Sequence, residues 1–208
     1  MLIYIEDNKT LGLKYYSDMN DAPVTDLLRQ AIIKTKNHLM DFSDSSWKDC
    51  PDTGIVTVAY MIFYQMYPID HGTHVPGPIS QSSAESEYNA VCTSGMVLEH
   101  FRMLINELLN KDPDIVPEES PLIVLDSKYA MCMAKNDKNT KQIRHISRIM
   151  LLVRNGEKCK IHKIDWCEGD IQLAYIATKN VGEYNLTPRM RYIMVRLDNR
   201  DRTIVQEG

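Results

Sequence analysis

Hydrophobic and polar positions along this chain follow two periods, and the places where one gives way to the other mark the elements. Leu39 to Ser43, Ile55 to Tyr64 and Ile69 to Thr73 are short apolar or aromatic-rich runs broken by turn signals such as Pro51-Asp52-Thr53-Gly54. They predict three strands in a meander, closed by the Pro-Gly-Pro break at 76–78. The period then lengthens. Ala90, Val97, Phe101, Leu104 and Leu108 recur at helical spacing and predict one long helix over 83–110 with that stripe inward. Ser82 and Glu85 have the spacing of a capping box at its start. After an acidic, proline-rich linker, Ile123-Val124-Leu125 runs straight into Asp126, as when a buried strand delivers an acid to a sheet edge. A short helix over 127–135, a basic helix over 141–155, a strand over 158–166 and a helix over 170–178 complete the series. On the basic helix Ile143, Ile146, Met150 and Val153 are expected to face inward. Upstream, 2–5 and 11–16 predict two short strands, and Leu27, Leu28, Ala31 and Ile32 a short amphipathic helix. Residues 186–208 are highly charged, with Tyr192, Ile193 and Val195 as their apolar positions. This order predicts an α/β domain, a mixed sheet with helices on its faces.

Length and composition narrow the class. A chain of 208 residues can bury one domain plus an appendage, and 44% hydrophobic with 25% charged residues is ordinary for a globular protein. No apolar stretch is long enough to span a bilayer, and the N-terminus lacks a basic-then-apolar signal, so an intracellular protein without membrane partners is expected. Five cysteines with no C-x-x-C pair predict reduced thiols. The net charge of −4 argues against a protein that coats nucleic acid with its whole surface. Its distribution says more. Between Lys138 and Lys163 there are eight Lys or Arg against one acid, Glu157. Lys141, Arg144 and Arg148 form one stripe of the basic helix and are candidate phosphate contacts.

Three acids stand apart from the general surface charge. Asp44 lies near the end of the first strand, Glu87 in the first turns of the long helix, and Asp126 at the end of a buried strand. Glu87 falls three residues before Ala90, on the same predicted inward face, where a carboxylate needs a compensating cation or metal. Separated carboxylates on rigid elements suggest a metal-ion phosphodiester site. By contrast, His71 and His74 are two histidines in a turn with no third partner, a weak zinc signal.

These motifs resemble the ribonuclease H domain at the end of the polyprotein of copia-type retrotransposons. Phe42-Ser43-Asp44-Ser45-Ser46-Trp47 looks like the family's first motif, Ser82 to Ala90 like its Ser-Ser-x-Glu-x-Glu-Tyr-x-Ala element, and Ile123 to Ser127 like its strand ending in Asp-Ser. Arg144-His145-Ile146 is similar to its Lys-His-Ile element. Gln172-Leu173-Ala174-Tyr175-Ile176-Ala177-Thr178-Lys179 is similar to its closing Gln-Leu-Ala-Asp-Ile-x-Thr-Lys. Tyr4 to Tyr15 looks like the last hairpin of the adjoining reverse transcriptase. The similarity runs in family order over roughly residues 2–180.

The resemblance implies a ribonuclease H-like fold with a mixed five-stranded sheet. It divides the chain into an extension over 1–38 resembling the end of a reverse transcriptase, a domain over 39–182 and a tail over 183–208. It implies Mg²⁺ or Mn²⁺, two ions in active relatives, with Asp44 bridging them and Glu87 and Asp126 on the leaving-group side. The implied partners are an RNA–DNA hybrid and the reverse transcriptase domain of the same polyprotein. One departure weighs most: the family's fourth catalytic acid falls where this chain has Tyr175, a neutral and bulkier group. Asp170, five residues earlier, is expected to point elsewhere and cap its helix. Ser46, where many relatives carry a second acid, is a lesser departure. The expected function is therefore metal-dependent cleavage of RNA in hybrids, impaired by Tyr175. The alternative is an inactive nucleic-acid-binding or scaffolding module of the same fold.

Overall fold

The computed structural model describes residues 11–12, 39–47, 55–65, 67–76, 80, 82–112, 120–135, 147–179 and 195–196. The hairpin and helix expected within 1–38, and most of the tail over 183–208, lie outside these residues. From those two segments the described part is a two-residue pairing, β1 (Leu11–Gly12) antiparallel to β7 (Val195–Arg196).

The main sheet holds β2 (Leu39–Ser46), β3 (Thr57–Tyr64), β4 (Tyr67–His74), β5 (Leu122–Leu125) and β6 (Lys163–Trp166). Its order is β4-β3-β2-β5-β6. The meander expected from the sequence forms: β2, β3 and β4 are successive antiparallel neighbours. Beyond it the sheet turns parallel, β5 beside β2 and β6 beside β5. Parallel neighbours require a crossover, and α1 (Ser83–Leu108) lies between β4 and β5 in the chain. This is the mixed five-stranded sheet with helices that the sequence predicts for a ribonuclease H-like α/β domain.

β2 is the pivot. All eight of its residues are buried, because it lies in the middle of the sheet with packing on both faces. Its apolar pattern therefore does not alternate cleanly. On one face Leu39, Ile62, Ile123 and Leu125 pack with Tyr88 and Leu98 of α1 and with Met150 and Val153 of α3 (Ser147–Lys158). On the other, Met40, Phe42, Phe63 and Val124 pack with Leu173 and Ala174, just before α4 (Tyr175–Thr178). Phe42 and Phe63 meet edge to face with ring centroids 5.6 Å apart. A short α2 (Lys128–Lys135) follows β5.

Several boundaries differ from the sequence pattern. β2 runs three residues past Ser43, so Asp44 lies within the strand. The fifth strand is confined to 163–166, because α3 continues to Lys158 and Lys160 takes a left-handed turn (φ 59°). The helix expected over 170–178 is a 3₁₀ turn at Gly169–Ile171 followed by α4, and the first turn's cap position is Glu168, not Asp170. The stripe expected along α1 holds at Ala90, which is buried, and at Val97 and Phe101, which pack against the core, but it is shortened. Its buried side runs through Tyr88, Val91, Ser94, Leu98 and Arg102, while Leu104 and Leu108 are exposed where the helix ends. Ser82 does cap α1, its hydroxyl accepting the Glu85 N–H at 3.2 Å.

Candidate functional site

The register of the parallel pair β2–β5 matches Met40 with Leu122, Asp41 with Ile123 and Phe42 with Val124. Two residues further along, the same register sets Asp44 beside Asp126 at the carboxyl ends of adjacent strands. That is where open α/β sheets place their binding crevices. Glu87 reaches the same edge from the first turns of α1, which Ser82 caps and Ser45 and Ser86 fasten to β2 by a 2.9 Å hydroxyl contact. Asp44, Glu87 and Asp126 each offer a carboxylate oxygen, and the three oxygens lie within 4.8 Å of one another. Among the described residues they form the single such group of His, Cys, Asp or Glu; His71, His74 and Asp170 take no part.

The residues around the acids hold them in place. Gln172 is fully buried, and its amide N–H₂ donates to Ser43 O at 2.9 Å and Val124 O at 3.3 Å, clamping β2 to β5 just behind Asp44 and Asp126. Trp166 donates its indole N–H to the backbone carbonyl of Asp126 at 2.8 Å. Trp47 donates to Ser80 O at 3.3 Å, which accounts for its place beside the start of α1. Ser46, the lesser departure from the resembled motif, is buried and accepts the Thr57 N–H.

Electrostatics mark the cluster as short of positive charge. Burial lifts Asp44 from the usual carboxylate range to about 6; nearby Asp126 pushes the same way, and Lys179 and the Thr178 hydroxyl oppose it. Burial, then the charges of Asp44 and Asp126, raise Glu87 to about 8. The Cys167 thiol is pushed up to about 12 by burial and then by the same two aspartates. Buried atoms Asp44 Oδ1 and Glu87 Oε2 have no hydrogen-bond partner. Orphaned carboxylate oxygens crowded at one point suit a hard divalent cation, which prefers oxygen ligands. The donor set fits Mg²⁺ or Mn²⁺ and offers no nitrogen or sulfur.

Tyr175 opens α4 on the Asp44 side of the sheet. Two neighbours that sequence reasoning did not single out complete this side. The Thr178 hydroxyl hydrogen-bonds Asp44 Oδ2, and Lys179 Nζ sits 3.7 Å from the same oxygen. Lys179 also lies over the Tyr175 ring, 4.1 Å from its centroid. The available signal was their spacing: positions three and four residues after Tyr175 share its helical face.

The basic stripe divides. Lys141 and Arg144 lie outside the described residues; Arg148 is exposed on α3. Arg154, part of the same local charge excess, is buried and donates to Met133 O from two nitrogens, at 3.2 and 3.0 Å. It secures the end of α2 and does not add to a surface field. Cys92, Cys132, Cys159 and Cys167 are unpaired thiols. Among the described residues no helix is long and apolar enough to cross a membrane.

No family model matches the chain, and no curated protein sequence is significantly similar to it. Solved structures are similar in shape. Ribonuclease H1 from the halophilic archaeon Halobacterium salinarum NRC-1 superposes with a TM-score of 0.45 at 10% identity, over 65% of this chain and 89% of that one. LC11 ribonuclease H1, isolated from compost by a metagenomic approach, gives 0.47 at 11% identity, over 64% and 86%. The prototype foamy virus protease-reverse transcriptase gives 0.41 at 14% identity, over 76% of this chain and 20% of that one.

Proposed function

We propose that this chain is a retroelement-derived ribonuclease H-type module, copia-like in its motifs, that binds RNA–DNA hybrids at a divalent-ion site with impaired hydrolysis of the RNA strand. The observation that carries the reading is the meeting of Asp44, Glu87 and Asp126 from three separate elements at one strand-end crevice. Mg²⁺ or Mn²⁺ held by these three would supply Lewis-acid charge beside a phosphodiester and lower the pKa of a water there. The chain's own part is positional. β2 and β5 set the two aspartates side by side, α1 brings Glu87, and Gln172 keeps the strands from parting. Arg148, with Lys141 and Arg144, is assigned to the phosphates of the hybrid.

Tyr175 is the reason for impairment. A phenol replaces a carboxylate ligand, and among the described residues the chain's own Lys179 lies beside Asp44. The same observation favours a second reading, a binding or scaffolding module that keeps the fold without the chemistry. Incubating the protein with a labelled RNA–DNA hybrid in Mg²⁺ or Mn²⁺ separates the two. Slow cleavage that Asp44→Asn removes supports an impaired nuclease. Salt-sensitive hybrid binding with no cleavage under either ion supports the second reading. Neither binding nor cleavage would sink both.

A further inference from the structure

Asp44 divides its two oxygens between different tasks. Oδ2 accepts the Thr178 hydroxyl and lies 3.7 Å from Lys179 Nζ, whereas Oδ1 is buried without a hydrogen-bond partner. A carboxylate that bridges two metal ions in the bidentate mode gives one oxygen to each. Here one of the two is already committed to a cation of the chain. Lys179 is also not free to leave at small cost. Its ammonium is held over the Tyr175 ring, 4.1 Å from the centroid, and the side chain is partly buried. Tyr175 and Lys179 are four residues apart across α4 and its end, so the helix itself sets the ring beneath the ammonium. Lys179 acts electrically on both Asp44 and Glu87, opposing the rise of each. A second dication brought to Oδ2 would meet this positive charge at close range beside the buried Asp44.

We propose that Lys179, seated on Tyr175, is the resident cation of the site, so that the acidic cluster takes a single divalent ion through Asp44 Oδ1, Glu87 and Asp126. The inference rests on the metal reading above and deepens it. Tyr175 is then the seat of a substitute charge as well as a missing ligand, and Lys179 is a positioning residue that sets ion number and affinity.

Mn²⁺ uptake by the intact chain, read from the electron paramagnetic resonance signal of the free ion, tests this without any assay of cleavage. The unmodified chain is expected to bind one Mn²⁺, and Glu87→Gln or Asp126→Asn to remove it. Lys179→Met should tighten that ion on the order of tenfold, since a like charge has gone from beside it. Lys179→Arg should keep the original affinity. The double variant Tyr175→Asp with Lys179→Met should take up two ions. Two ions in the unmodified chain, or unchanged affinity in folded Lys179→Met, overturn the proposal and leave the carboxylate site standing. No uptake by the unmodified chain or any folded variant overturns the metal reading itself, and the resident-cation proposal with it. The unmodified chain's stoichiometry decides the one-ion claim even where a variant does not fold.

Discussion

Asp41 and Asp44 stand three residues apart on β2, and both are fully buried. An odd spacing puts them on opposite faces of the sheet. Asp41 lies on the α1 face and accepts the Met61 N–H at 2.9 Å. Burial drives its carboxyl well above the usual range, against the smaller pull of hydrogen bonds from Ser94 and Met61. It lies in a packed layer and belongs to no cluster of three or more acids among the described residues. Asp44 sits at the strand end with Glu87 and Asp126 within reach and an oxygen left over. Burial raises both groups. Company separates them: only Asp44 has neighbours whose charges add to its own and call for a cation.

The largest effect should come from returning the missing acid. Tyr175→Asp combined with Lys179→Met, which returns the acid and removes the resident cation, should raise hybrid cleavage in Mg²⁺ by about 10²–10⁴-fold, the scale of one catalytic group. In that background Asp44→Asn should take the gain away, whereas Asp41→Asn should leave it. Robust cleavage by the unmodified protein, lost in Asp170→Ala, would show that the fourth ligand had moved to a residue the structure holds outside the cluster.

Stability against pH gives the next effect. Well below pH 3.8, the ordinary value for aspartate, these carboxyls are protonated in both folded and unfolded chains, and burial imposes no differential cost. As pH rises, the unfolded groups ionise first while the folded ones keep their protons, Asp44 to about 6 and Glu87 to about 8. Folding stability of the ion-free protein should therefore fall as pH rises towards 8, by roughly 3 kcal/mol from Asp44 and roughly 4 kcal/mol from Glu87, with Asp41 adding to the fall. Added Mg²⁺ should restore the part due to Asp44 and Glu87 and leave the part due to Asp41. Chemical denaturation across that range, repeated on Glu87→Gln and Asp41→Asn, measures both shares. A slope that Mg²⁺ leaves intact would erase the distinction between the two aspartates.

A smaller effect belongs to the clamp. Gln172→Ala strands the carbonyls of Ser43 and Val124 inside the protein and should cost about 2 kcal/mol. It should also weaken Mn²⁺ binding, because the strand ends carrying Asp44 and Asp126 are no longer tied. Smallest is the helix cap. Ser82→Ala should cost about 1 kcal/mol in denaturant unfolding and weaken the ion through the loosened first turn that carries Glu87.

The chain by itself determined the alternation of strand and helix, the three acids and the absence of an acid at 175, since each is written locally. β-rich runs, a capped amphipathic segment and an apolar run ending in Asp126 need no distant contact to be read. The extent of elements was less legible. Leu104 and Leu108 keep helical spacing but are exposed, because periodicity cannot tell where a helix runs past the sheet beneath it. Nor could Arg154 be separated from the surface charge around it, since its partner is a carbonyl 21 residues away. Only the tertiary structure decided that Asp126 comes beside Asp44 through a parallel register, and that Gln172 bonds across 129 residues of chain to Ser43 O. It also decided that Asp41 is a core acid while Asp44 belongs to a cluster, and that Lys179 is the cation beside it. The reason is physical. Propensity and period act over one turn or one strand, whereas charge, burial and coordination depend on which surfaces meet, and those meetings are set by packing across the whole sheet.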